Sequence, residues 1–174
     1  IVTGDVVIAG NPGLTSLAGL SALREVGRRV LVQGNESLVD LGTLGALERA
    51  EAVVIVGNDA LPDLGGLDGL TQTAITLTVS NNGGLTSLAG LDNLTATTRT
   101  ITITGNRSLV DASALAQLRT VVLLDLSGNV ALPALALPSV EKVDVRLILD
   151  GNPALASLDL PALATVGGFL RLDG

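Results

Sequence analysis

The chain contains no histidine and no cysteine in 174 residues, so its chemistry falls to carboxylates, hydroxyls, carboxamides and guanidinium groups. The charged end of the outward strand positions holds Asp125, Asp150 and Asp173, with Arg146 and Arg171 nearby. Grouped aspartates offer the oxygen ligands that Ca²⁺ takes. No EF-hand loop and no G-G-x-G-x-D nonapeptide accompanies them, and like charges one strand apart are relieved by a partner arginine. Salt bridging through Arg171 is therefore the expectation, with no metal and no cofactor. The hydroxyls of Thr76, Thr78, Thr100, Thr102 and Thr104 form two T-x-T motifs on neighbouring repeats. Three N-x-S/T sequons start at Asn35, Asn93 and Asn106. There is neither a G-x-S-x-G nor a phosphate-binding glycine loop. Paired carboxylates for acid–base work need a pocket, and here the acids are scattered over outward positions. The reading is a protein that is not an enzyme.

All of these side chains ride on an internal repeat. Units of 23 or 24 residues start at 10, 34, 57, 81, 105, 128 and 151, after a partial unit over 1–9. A period of this length predicts a single solenoid domain over 1–174. Within a unit the pattern is G-N-x-x-L-x-x-L-x-x-L-x-x-L, as in Leu38, Leu41, Leu44 and Leu47. A spacing of three fits neither an α-helix nor a strand, and it predicts a turn-rich or short 3₁₀ path. Each unit then closes on alternating aliphatics. The residue two before each Gly–Asn runs Ile8, Val32, Ile55, Val79, Ile103, Leu126, Leu149 and Leu172. The residue four before it runs Val6, Val30, Val53, Leu77, Ile101, Leu124, Leu147 and Leu170. Alternation of this kind predicts a short strand with one buried face in every unit, stacked in parallel at about 4.8 Å per step.

The start of each unit carries the strictest positions. Asn11, Asn35, Asn58, Asn82, Asn106, Asn129 and Asn152 form a column without exception, and a carboxamide both donates and accepts. Stacked in register they predict an asparagine ladder, which puts the sequons at Asn35 and Asn106 inside the fold and leaves Asn93 exposed. The preceding slot is glycine in six units and Asn81 in the seventh. Asparagine tolerates the left-handed region best after glycine, so that slot is expected to have positive φ.

The outward strand positions grade along the chain. One column runs Val7, Leu31, Val54, Thr78, Thr102, Asp125, Ile148 and Arg171; its neighbour runs Ala9, Gln33, Val56, Ser80, Thr104, Ser127, Asp150 and Asp173. Val7, Leu31, Val54 and Val56 make an aliphatic patch, which a partner or a further segment of chain would cover. The candidate partner-binding face is this patch together with the five threonines.

The pattern Leu118–Val121–Leu124–Leu126–Asn129–Leu132 resembles leucine-rich repeats. The stretches "GNPGLTSLAGLSALREVGRRVLVQGNESL" (10–38) and "GNPALASLDLPALATVGGFLRLDG" (151–174) are closer to the receptor L-domain, in the form found in microbial surface proteins. The resemblance implies a right-handed solenoid with one long parallel sheet, used outside the cell for binding or as a wall component. It carries over no functional residue. The threonine array resembles, separately, the surfaces of many ice-binding proteins.

Composition bounds the rest. Hydrophobic residues make up 47% of the chain, yet Phe169 is the single aromatic, leaving Leu, Val, Ile and Ala to fill the core. The longest uncharged apolar stretches are too short and too proline-broken to span a bilayer, and no signal sequence is expected within the chain. A net charge of −7 disfavours nucleic acid as a partner. The first and last strand units show no polar cap over residues such as Leu170 and Leu172, so stacking on further coils or on copies of the chain is also expected. Three functions follow: an extracellular or cell-surface recognition and adhesion module binding a protein or surface ligand, a structural protein assembling end to end into filaments, and ice binding.

Overall fold

The computed structural model describes residues 1–42, 44–73, 76–97 and 99–174. Each repeat is one coil of a β-solenoid. The strands are β1 (Val6–Ala9), β2 (Glu25–Gln33), β3 (Arg49–Val56), β4 (Gln72–Thr73), β5 (Thr76–Ser80), β6 (Ala96–Thr97), β7 (Thr100–Thr104) and β8 (Thr120–Asp125). They continue as β9 (Ala134–Ala136), β10 (Lys142–Ile148), β11 (Ser157–Asp159), β12 (Thr165–Val166) and β13 (Phe169–Arg171). Among the described residues, eleven strands form one parallel sheet, and β9 and β11 pair separately on the opposite side.

The register follows the repeat. Val30 lies beside Val53, Val53 beside Leu77, Leu77 beside Ile101, Ile101 beside Leu124, and Leu124 beside Leu147. All of these are fully buried, as are Val32, Ile55, Val79 and Ile103 in the other inward row. Each such side chain contributes about 1.5–3 kcal/mol by leaving water.

The leucine arms explain their own spacing. Leu44 N–H donates to the Leu41 carbonyl at 3.1 Å and Leu47 to Leu44 at 2.7 Å; Leu67, Leu70, Leu91 and Leu94 repeat the pattern. A bond from i to i−3 gives three residues per turn, so every third side chain faces the core. Short 3₁₀ helices form at Ala18–Leu20, Leu44–Ala46 and Ser113–Gln117. The uniform spacing of three fails in the last two units. There the arm reads Leu132, Leu135, Leu137, Val140 and then Leu155, Leu158, Leu160, Leu163, with a step of two in the middle. A step of two belongs to extended chain, and β9 and β11 occupy these places.

The asparagine ladder connects the coils at the strand ends. Asn35 Nδ2 donates to the Ile8 carbonyl at 3.0 Å and to Asn58 Oδ1 at 3.2 Å, while the Asn35 N–H also donates to Asn58 Oδ1. Asn58 repeats this with Val32 and Asn82, and Asn82 with Ile55 and Asn106. Six of the asparagines are buried; Asn11, in the first coil, is exposed. The slot before the ladder has φ between 61° and 71° at Gly10, Gly34, Gly57, Gly105, Gly128 and Gly151, and 54° at Asn81, the one non-glycine residue with positive φ among those described.

A second polar column runs along the first five arms, one residue before the second inward position of each. Asp40 Oδ1 accepts from Gly42 N–H at 2.6 Å, Asp63 Oδ1 from Gly65 N–H at 2.8 Å, and Asp111 Oδ1 from Ser113 N–H at 2.9 Å. Ser16 and Ser87 use their hydroxyls in the same way, and each also donates to the aspartate of the next coil, Asp40 and Asp111. These side chains cap turns, which is the role short polar residues fill best.

Candidate functional site

Alternation in the strands leaves one row of side chains for the core and one for solvent. The outward row is in register from end to end: Val7 beside Leu31, then Val54, Thr78, Thr102, Asp125, Ile148 and Arg171. Val7 is 55% exposed, and Leu31, Val54 and Val56 are half-buried on the same face. Thr76 pairs with Thr100, Thr78 with Thr102 and Ser80 with Thr104, giving a hydroxyl array two coils wide. Ala52, Val54 and Val56 border it on one side, and Leu123 and Asp125 on the other.

The charged end is organised by Arg171. Its guanidinium pairs with the Asp150 carboxylate, whose other oxygen accepts from Asp173 N–H at 3.2 Å. The hydrogen bond from Arg171 holds the Asp150 carboxyl below the usual carboxylate range, and Asp150 in turn raises the Arg171 pKa. Arg146 lies 5.3 Å from the ring centroid of Phe169, and Arg171 lies 5.9 Å from it. The single aromatic of the chain thus faces outward between two cations, a cation–π arrangement. Ile148, expected outward, is 8% exposed between Asp125 and Arg171.

Sequence reading missed how the charge divides. Nearly every cation lies in or beside the strands. The arms, from each ladder asparagine to its last leucine or valine, hold Glu36, Asp40, Asp59, Asp63, Asp68, Asp92, Asp111 and Asp159 but one cation, Arg107. The arms therefore carry the whole net charge of −7. Aligning the units column by column would have shown it.

Comparison with protein-family models, with curated proteins and with solved structures finds no match.

Among the described residues, no group of three or more Asp or Glu side chains is placed to hold a metal ion. No helix among them is long and apolar enough to cross a membrane. Asn93 is exposed, and its Nδ2 donates to the Asp68 carbonyl at 2.8 Å; Asn35 and Asn106 are fully buried.

Proposed function

We propose that the chain is a non-enzymatic recognition and adhesion module that binds a protein or surface ligand through the outward face of its sheet. The observation that carries this reading is the unbroken register of that face, which sets an aliphatic patch, a hydroxyl array and a cation–aromatic cluster side by side on one rigid surface. Apolar area with adjustable polar neighbours suits association with a macromolecule. The resemblance to leucine-rich and receptor L-domain repeats supports an extracellular or cell-surface location. In ice binding the threonine array would act alone, and it is two coils wide; in the adhesion reading it is the polar centre of a larger face.

The test is an array of purified surface proteins and polysaccharides probed with the native chain and with a Val54→Lys, Thr78→Lys double variant. Binding lost in the variant at unchanged melting temperature supports the sheet face as the contact. Binding retained by the variant removes that face from the reading. Uniform fibres in electron micrographs would favour end-to-end assembly instead.

A further inference from the structure

Three departures from the repeat meet at one place, on the turn that follows β5 and β7. In the column just after the ladder the residues run Pro12, Glu36, Asp59, Gly83, Arg107, Val130 and Pro153. Gly83 is the one position in that column without a side chain, and its neighbours on either side carry opposite charges. Arg107 is the one cation of the arms. Asn81 is the one side chain in the slot otherwise kept for glycine. Asp59, Asn81, Gly83, Gly105 and Arg107 together line an open notch of about 250 Å³.

Hydrogen bonds between coils fix the groups that line the notch. Gly83 N–H donates to Asp59 Oδ1 at 2.8 Å, which fixes that carboxylate over the floor. The Asn81 carboxamide reaches over Gly105, where a Cβ would meet Asn81 Oδ1. Ser108 Oγ donates to the Gly83 carbonyl at 2.7 Å and holds the floor from the next coil. Asp59 and Arg107 are two coils apart, roughly 10 Å at the backbone, and no ion pair joins them among the described residues. A guanidinium fork matches a carboxylate, and an aspartate with a free oxygen matches an ammonium group.

We infer that this notch binds a small zwitterion, a molecule with a carboxylate at one end and an ammonium group at the other. Arg107 takes the carboxylate, Asp59 the ammonium, and Asn81 bridges the two through its carboxamide. A neutral polyol would hydrogen-bond to these groups without matching their opposed charges, and a single anion would meet the acidic field of the arms with one cation to hold it. The site is on the turn, off the sheet face, and so is independent of the adhesion reading.

The test uses the ¹⁵N-labelled chain, titrated with glycine, 4-aminobutyrate and 6-aminohexanoate, with acetate and methylammonium as single-charge controls. Saturable amide shifts at Asn81, Gly83 and Gly105, strongest for one chain length and absent with the controls, are expected at millimolar concentrations. Binding should weaken at least tenfold in Arg107→Gln and in Asp59→Asn, with melting temperatures unchanged, and should be unaffected by Thr78→Lys. The inference is overturned by the absence of saturable shifts at these amides, by acetate matching every zwitterion, or by equal affinity in Arg107→Gln.

Discussion

Asn82 donates twice to one atom of Asn106: its backbone N–H reaches Oδ1 at 3.0 Å and its Nδ2 reaches the same oxygen at 3.2 Å. The two residues are 24 apart in sequence, and Asn106 repeats the arrangement toward Asn129. Each carboxamide thus satisfies a buried N–H and a strand carbonyl of the preceding coil and donates to the next carboxamide, a task that neither an apolar nor a purely accepting side chain could perform.

Asn106→Ala is expected to destabilise the fold by about 1–3 kcal/mol, because it strands the Asn82 N–H and the Val79 carbonyl away from water. Asn11→Ala, at an exposed position, should cost much less. Urea unfolding of the two variants measures the difference.

Asn81 has φ of 54°, in the left-handed region. Asn81→Gly should therefore be neutral or slightly stabilising, whereas Asn81→Val should cost about 1–2 kcal/mol. Equal midpoints for the two variants would contradict the backbone assignment.

Glycine matters unequally along the arms. Gly90 has φ of 104° and a Cβ there would collide with the Leu64 carbonyl, so Gly90→Ala should lower the melting temperature clearly. Gly19 has open space around it, and Gly19→Ala should change little. Differential scanning calorimetry of both variants decides the point.

The core is sensitive in proportion to its packing. Leu88, fully buried in the middle of an arm, should lose about 2–5 kcal/mol on mutation to Ala. Leu158→Ala, at a position 37% exposed, should lose less. Chemical unfolding midpoints give the ratio directly.

Acid sensitivity has a specific source. The Ser113 N–H hydrogen bond, followed by the hydroxyls of Ser113 and Ser87, holds the Asp111 carboxyl below its ordinary value. A carboxylate lowered on folding stabilises the native state above its unfolded pKa, near 3.9, and loses that contribution as pH falls through the folded value. Asp111→Asn should lower stability slightly at neutral pH, the group being exposed, and leave it nearly unchanged at the acid end, so that the profile between the two is flatter. Thermal melts between pH 2.5 and 7 read this out.

Much of this architecture was legible because every coil writes the same instructions. Alternating aliphatics such as Val53 and Ile55 defined the inward rows, and the glycine slot with its Asn81 exception defined the turn. The leucine arms were legible as well, except where Leu135 to Leu137 and Leu158 to Leu160 shorten the step to two and an extended segment replaces the 3₁₀ turn. The ladder of Ser16, Asp40, Asp63, Ser87 and Asp111 went unread. Serine and aspartate look like ordinary surface residues until the coils are stacked and each faces the N–H two residues on.

The sequence by itself determined the period, the core rows and the need for left-handed backbone, since these are properties of single coils repeated. The Arg171–Asp150 pair was expected from the repeat and is present, but only the tertiary structure decided which other side chains become neighbours across coils: Arg146 with Phe169, and Asp59 with Arg107 around Gly83. Stacking brings residues 20 to 50 positions apart within about 5 to 10 Å of each other, and that distance is set by the register of the sheet.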